Sequence, residues 1–132
     1  MKLLLDTQLL LLAAGADVRT PTRLSAKAIA LINDPANELL FSAASIWEVA
    51  IKSGLGREDF RADAHLLRRG LLDNGYLDLS IASEHAAAAA GLPELHKDPF
   101  DRILVAQAMV EGVTLATADA MVARYPGPIL KV

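Results

Sequence analysis

The chain has 132 residues, 53% of them hydrophobic but only 5% aromatic, and a formal charge of −3. That length suits one domain spanning residues 1–132, with an interior packed mainly by Leu, Ala, Ile and Val. The absence of cysteine excludes disulfide frameworks and thiolate chemistry and makes the cytoplasm the default location, while the net acidity excludes a protein that coats nucleic acid by bulk positive charge.

In chain order, Lys2–Leu5 is a short apolar run without alternation, as expected of a strand covered on both faces. Met1–Leu5 looks briefly like a signal peptide, but Asp6 interrupts it and the apolar run that follows is too short to span a bilayer, so no membrane association is expected. A helix follows to Ala14. Thr20-Pro21 offers an N-cap and an early proline for a second helix through Leu24, Ala28, Ile29 and Ile32, which Asn33-Asp34-Pro35 stops. Glu38–Ser42 reads as the second strand, and Ile46, Val49, Ala50 and Ile51 continue at helical spacing up to Gly54. Arg57–Leu72 carries a leucine stripe among charges and reads as helix. Asp73-Asn74-Gly75 marks a turn before a third strand over Tyr76–Ile81, and Ala86–Ala90 is helix-prone. Asp98-Pro99 opens a further helix closed by Gly112, Val113–Thr117 is the fourth strand, Asp119–Ala123 a short helix, and Ile129–Val132 a last edge strand. This alternation indicates an α/β fold with a mostly parallel sheet of four to five strands.

In open sheets of this kind ligands bind beyond the carboxyl ends of the strands. Asp6 and Asp119 stand at such ends, Glu48 shortly after the second strand, and Asp101 in the first turn of the later helix. Four carboxylates facing one crevice disfavour each other's ionisation unless a cation joins them, and Mg2+ takes carboxylates together with waters and phosphate oxygens. Thr7 and Thr117 flank the acids and are candidates to hydrogen-bond a carboxylate or a metal-bound water.

Four segments carry a family resemblance: Leu3-Leu4-Leu5-Asp6-Thr7, Ser42-Ala43-Ala44-Ser45-Ile46-Trp47-Glu48, His96-Lys97-Asp98-Pro99-Phe100-Asp101-Arg102 and Thr117-Ala118-Asp119. In this order, over nearly the whole chain, they resemble a PIN-domain ribonuclease of the VapC toxin type. The resemblance implies a three-layer α/β/α PIN-like fold, endoribonuclease activity, metal-binding and catalytic acids at Asp6, Glu48, Asp101 and Asp119, Mg2+ or Mn2+ as cofactor, a small VapB-like antitoxin as partner, and a homodimer. Gln8 departs from the family, which more often has His or Asn after the Asp-Thr pair.

Each acid also has a plainer reading. Asp-Pro-x-Asp fits an N-cap, a first-turn proline and an N3 acid, and for Asp98 capping is the preferred reading. Ser45 and Glu48 are spaced as a capping box, and Asp6 and Asp119 could each cap the helix that follows. For Glu48 and Asp101 the resemblance favours ligation; for Asp6 and Asp119 it is joint placement that argues against coincidence.

His65, His85 and His96 lack zinc-ligand spacing, so surface or packing roles are expected. Ser42 and Ser45 lack a nucleophile elbow, no dinucleotide or P-loop motif occurs, and Trp47 reads as a core or dimer contact rather than a base-stacking platform. Arg57, Arg61, His65 and Arg68 recur at helical spacing. They form either a solvated face, the preferred reading, or a track for RNA phosphate, to which Lys97 and Arg102 stand closer. Two rivals are a catalytically inactive PIN-like module that binds protein or RNA, and a receiver-like phosphoacceptor domain. The second needs an acid after a central strand with a partner lysine after a later one, and Tyr76–Ile81 is followed by Ala82-Ser83.

Overall fold

The computed structural model describes residues 1–15, 23–55 and 62–132. In chain order the elements are β1 (Lys2–Leu5), α1 (Thr7–Ala13), α2 (Ala26–Asn33), β2 (Glu38–Ser42), α3 (Ala43–Gly54), α4 (Ala64–Asp73), β3 (Leu77–Leu79), α5 (Ser83–Ala89), α6 (Pro99–Glu111), β4 (Thr114–Thr117), a 3-10 turn at Val122–Arg124, and β5 (Ile129–Lys131). The strands form one sheet in the order β3-β2-β1-β4-β5, and every pairing is parallel.

The leucine run of β1 lacks polar alternation because both of its faces are covered. Leu3 and Leu5 join Leu9, Leu10, Phe41, Val49 and Leu67 on one side of the sheet. Leu4 points the other way, into Leu40, Leu104, Val105 and Leu115. Each of these β1 leucines is about fully buried, at 0 to 1% exposure, as a central strand in a three-layer α/β/α sandwich requires. From β1 the chain passes to β2 on one side, and β4 later pairs on the other side. The carboxyl end of β1 therefore lies at the topological switch point where open sheets form their crevice.

Several sequence expectations are corrected in detail. The second helix starts at Ala26, not at Thr20-Pro21, because Ser25 accepts a hydrogen bond from the Ala28 amide at 3.1 Å and caps it; Thr20 and Pro21 lie outside the described residues. Ser42 caps α3 through the Ala44 amide (3.0 Å), so Ser45 and Glu48 form no capping box and both side chains turn inward, buried. In the Arg57–Leu72 stretch the helix is described from Ala64, where Asp63 accepts from the His65 and Leu66 amides; Arg57 and Arg61 lie outside the described residues. The third strand is shortened to Leu77–Leu79 because it is an edge strand paired to β2 alone, and the Ser80 carbonyl beyond it accepts from Gln107 at 3.3 Å instead. The expected short helix after Asp119 is a single 3-10 turn.

Helix α6 carries both signals of its ends. Asp98 accepts from the Phe100 and Asp101 amides (2.9 and 3.4 Å), Pro99 follows at the first helical position, and Gly112 closes the helix at φ +67°, a left-handed conformation that glycine adopts without strain. Inside the helix Gln107, fully buried, accepts from the Ser42 hydroxyl at 2.6 Å and so ties α6 to the end of β2. Because Asp98 serves two amides that would otherwise lack partners, Asp98→Ala is expected to lower stability by roughly 0.5–2 kcal/mol, read as a shift in the midpoint of urea unfolding at unchanged slope.

Candidate metal centre

Asp6 directly follows β1, and its side chain does two things at once. Oδ1 accepts from the Leu9 amide (2.9 Å), capping α1, and Oδ2 accepts from the Thr117 hydroxyl at the end of β4 (2.6 Å). The same Thr117 oxygen accepts from the Asp119 amide at 3.0 Å. Thr7, first residue of α1, lies 2.7 Å from Glu48 Oε1, to which it donates, and 2.9 Å from Ser45 Oγ, whose own hydrogen can return to it. Glu48 Oε2 is paired with Lys52 one turn along α3. Capping and clustering are thus not alternatives for Asp6, since one carboxylate does both.

The acids sense one another. Asp6 is only 6% exposed, and burial pushes its carboxyl above the usual range; hydrogen bonds from Thr117 and Leu9 oppose this, while the charges of Asp119 and Glu48 add to it. Asp101 is pushed up to about 7, first by burial, then by the charges of Asp98, Glu48 and Asp6, with His96 pulling the other way. Glu48 is buried, Asp101 partly so, and Asp119 is exposed at the rim, where its carboxylate accepts from the Met121 amide at 2.8 Å. Asp6 therefore sits at the centre of a field that reaches the other three acids.

Charge coupling is not ligation, and the closest donor group among the described residues is a different one. His96, Asp98 and Asp101 offer donor atoms within 4.8 Å of one another, and His96 Nε2 lies 3.0 Å from Asp101 Oδ2. Asp6, Glu48, Asp101 and Asp119 do not form such a group in full. Mutual repulsion keeps carboxylates apart until a cation compensates it. The donor set nonetheless fits a hard divalent ion: carboxylate oxygens, two of them buried and two with the charged form disfavoured, are what Mg2+ or Mn2+ would relieve.

His96 is the member of this donor group that sequence reasoning passed over, because a histidine five residues before an acid has no metal-binding spacing on a helix. It precedes α6, and the loop folds it back over the first turn. A signal was available in the Asp-Pro pair, which fixes where the helix starts and so where the preceding residues must turn. Arg102 is placed otherwise than a phosphate contact requires. Its guanidinium donates to the carbonyls of Ala89, Leu92 and Pro93 at 2.8–3.3 Å and to the Tyr125 hydroxyl at 3.3 Å, so it serves as a clamp between loops. Lys97 is exposed and lines a cleft of about 360 Å3 with Glu94, His96 and Arg102. Arg68 is exposed on α4. Trp47 is 59% exposed and meets Phe100 edge-on at 5.4 Å, so it is not a core residue. His85 is buried, with Nδ1 accepting from the Ala82 amide and Nε2 2.7 Å from Glu111, the packing role expected of it. Gln8 is exposed and lines a cleft of about 290 Å3 beside Asp119.

This fold corresponds to a known family. A PIN domain model matches residues 3–128, and the chain belongs to the PIN domain family. Among solved structures it is similar to VapBC2 from Rickettsia felis bound to a DNA fragment from its promoter, with TM-score 0.65 and 16% identity over 99% of this chain and 98% of that one. It is also similar to a toxin-antitoxin complex from Klebsiella pneumoniae (TM-score 0.64, 15% identity, 97% and 95% covered) and to FitAcB from Neisseria gonorrhoeae (TM-score 0.54, 17% identity, 91% and 89% covered). At these identities the likeness is one of fold. No curated protein matches the chain in sequence.

The upward shift of Asp101 has a consequence for stability in the absence of metal. A carboxyl that keeps its proton to about pH 7 when folded, but only to about pH 4 when unfolded, makes the folded state bind more protons between those limits. The contribution of Asp101 to stability is then fully present below about pH 4 and is lost as pH rises through 7. Asp101→Asn, which cannot ionise, is expected to flatten that decline in chelator-treated protein, measured as unfolding midpoint against pH. An equally steep decline in the variant would mean that Asp101 does not carry this charge.

Proposed function

We propose that this chain is a divalent-metal-dependent endoribonuclease and the toxin of a type II toxin–antitoxin pair. The observation that carries the reading is the pair of buried carboxylates, Asp6 and Glu48, joined to Asp101 by charge at the switch point of a PIN domain. Asp6, Glu48, Asp101 and Asp119 would hold the Mg2+ or Mn2+. When bound, such an ion polarises a phosphoryl oxygen and makes water a better nucleophile at neutral pH.

The chain's own residues prepare the site for that chemistry. Thr117 and the Leu9 amide fix the Asp6 carboxylate, Thr7 and Lys52 fix that of Glu48, and each bond offsets part of the charge that would otherwise push the acids apart. Asp119 meets solvent at the rim, where substrate and inner acids come together. Exposed Lys97 and Arg68 offer positive charge to the RNA backbone, a local substitute for the basic surface that the net charge of −3 denies the whole chain. The reading is tested by incubating the full chain with a mixed RNA pool, with Mg2+ or Mn2+ and with chelator. Cleavage should require the ion and should be lost in Asp6→Asn, while that variant still folds. Folded wild-type protein that takes up Mn2+ but leaves RNA intact would replace this reading with that of a binding module.

Leu55 and Leu66 are each 67% exposed and Trp47 59%, and we assign these apolar side chains to contacts in a homodimer and with an antitoxin, the partners that the family resemblance implies. The structural relatives include a toxin-antitoxin complex and VapBC2, which supports such a partner. An inhibitor that presents a basic side chain to the acids would exploit a site already built for cations. Co-expression with the product of an adjacent small open reading frame should yield a complex in which cleavage is suppressed, and suppression should weaken when Asp6 or Glu48 is neutralised. A neighbour that binds while cleavage continues would overturn inhibition at the acids, and a strictly monomeric chain at micromolar concentration would overturn the dimer.

A further inference from the structure

The amino end of the sheet, away from the acids, holds a cleft of about 350 Å3. Three helices finish there: Ala13 and Ala14 close α1, Asn33 ends α2, and Asn74 caps α4. Leu39, also in its wall, pairs with Leu3, three residues before Asp6, so roughly 10 Å of strand separates the cleft from the acids. Tyr76 supplies it with a group that points to a ligand. The residue is 7% exposed, and its hydroxyl makes no hydrogen bond with the described residues, among which no side-chain nitrogen or oxygen sealed from water lacks a partner. The hydroxyl is therefore the part of this buried side chain that opens into the cleft. Burial holds its proton beyond the ordinary tyrosine range, so it offers a neutral oxygen.

The other polar atoms around it are mostly acceptors. The last carbonyls of a helix have no partner within it. Those of Leu10, Leu12, Gly70 and Leu71 are met by following amides, but no amide of the described residues reaches those of Ala13, Ala14, Ile32 or Asn33. Asn74 donates from Nδ2 to the Gly70 carbonyl at 2.7 Å, which leaves its Oδ1 as an acceptor. Each helix end adds negative partial charge, and none of the three last turns carries a basic residue. No lysine, arginine or histidine lines the cleft, and the exposed Asp34 and Asp73 adjoin Asn33 and Asn74 in the chain. Gly70 keeps the space open. Its φ is ordinary and a Cβ there would meet nothing within 4 Å, so neither backbone nor packing requires glycine at a helical position where alanine is the more stable choice. What the missing side chain provides is room.

From this geometry we propose that the cleft binds a small organic ammonium ion, whose N–H groups meet the Tyr76 hydroxyl, Asn74 Oδ1 and the open helix-end carbonyls while its methylenes lie on Ile32, Leu39 and Leu71. Small-molecule sites are concave and begin at about 300 Å3, so the volume suits such a ligand. An anion would meet acceptors and the negative ends of three helix dipoles. The proposal depends neither on the metal-centre reading nor on RNA cleavage.

The test follows the amide proton–nitrogen correlation spectrum of the full-length chain as butylamine is added at constant ionic strength, in wild type, Tyr76→Phe and Gly70→Gln, with potassium chloride and butanol as comparisons. Butylamine should move the signals of Asn33, Gly70 and Asn74 saturably. Tyr76→Phe, which keeps the ring and removes the hydroxyl, should weaken binding about tenfold, as loss of a hydrogen bond to a charged group does. Gly70→Gln, which fills the cleft, should abolish binding while the spectrum stays that of the folded chain; if that variant does not fold, Tyr76→Phe decides. Shifts confined to the surroundings of Asp6 and Asp119 would put the amine on the acids and overturn the proposal. Equal shifts from potassium chloride or butanol would overturn it too, as would variants that bind like wild type. If raising the protein concentration alone moves the same signals, the occupant is a side chain of a second copy and the free amine is overturned. A chain that cleaves no RNA yet shows the saturable shifts would sink the ribonuclease reading and leave this inference standing.

Discussion

Like charges held close together out of water are the condition to which most of this molecule answers. Asp6 and Glu48 are buried, Asp101 is partly so, and the fields of Asp6 and Glu48 raise the proton affinity of Asp101. An isolated buried carboxylate would simply take up a proton. What resists that outcome here is a set of donors delivered by three elements: the amide of Leu9 and the hydroxyl of Thr7 from the first turn of α1, Thr117 from the end of β4, and Lys52 from α3. The sheet order brings them together, because β1 and β4 are neighbours and their carboxyl ends open onto the same crevice.

The balance is partial by design of the geometry. Donors to Asp6 and Glu48 are short and direct, whereas Asp101 faces three other acids against a single imidazole. A site neutralised completely by its own side chains would have no affinity left for a cation, and one with no donors would hold its acids as neutral carboxyls. Leaving one acid close to its protonation point at neutral pH places the centre between those two states. The exposed position of Asp119 belongs to the same logic, since an acid at the rim keeps its water until something arrives to replace it.

How much of this was legible in the sequence depends on whether the signal was local. The β1 leucines read correctly as a strand covered on both sides, because an unbroken apolar run ending in Asp6-Thr7 has few other uses. Asp98-Pro99 read correctly as a helix start, because cap and proline act within three residues. The expectation that the acids face one crevice came from the family resemblance and from the rule that strand ends bear function. Spacing was ambiguous or misleading where a nearer competitor existed: Ser42 took the cap for which Ser45 was also spaced, and Ser25 capped the helix given to Thr20. Arg102 and His96 were illegible for another reason. Whether a guanidinium faces phosphate or four oxygens of its own chain, and whether a histidine reaches an acid, depends on where Tyr125 comes to lie more than twenty residues later, and no periodicity carries that information.

Gln107 makes the same point from inside the core. Aliphatic contacts around α6 would tolerate a small turn of the helix about its own axis, because Leu, Val and Ala side chains repack at little cost. A buried amide does not, since its oxygen must meet Ser42 and its nitrogen the carbonyl of Ser80, and losing either partner leaves a polar atom stranded. The pair therefore works like a key in a shaft, setting the rotational phase of α6. Asp101 rides on that shaft, about 9 Å away along the axis, and a displacement of about 1 Å at a reacting centre is enough to change a rate by about a hundredfold. The angular precision of the crevice is in this sense borrowed from a hydrogen-bonded pair that no solvent, ion or substrate touches.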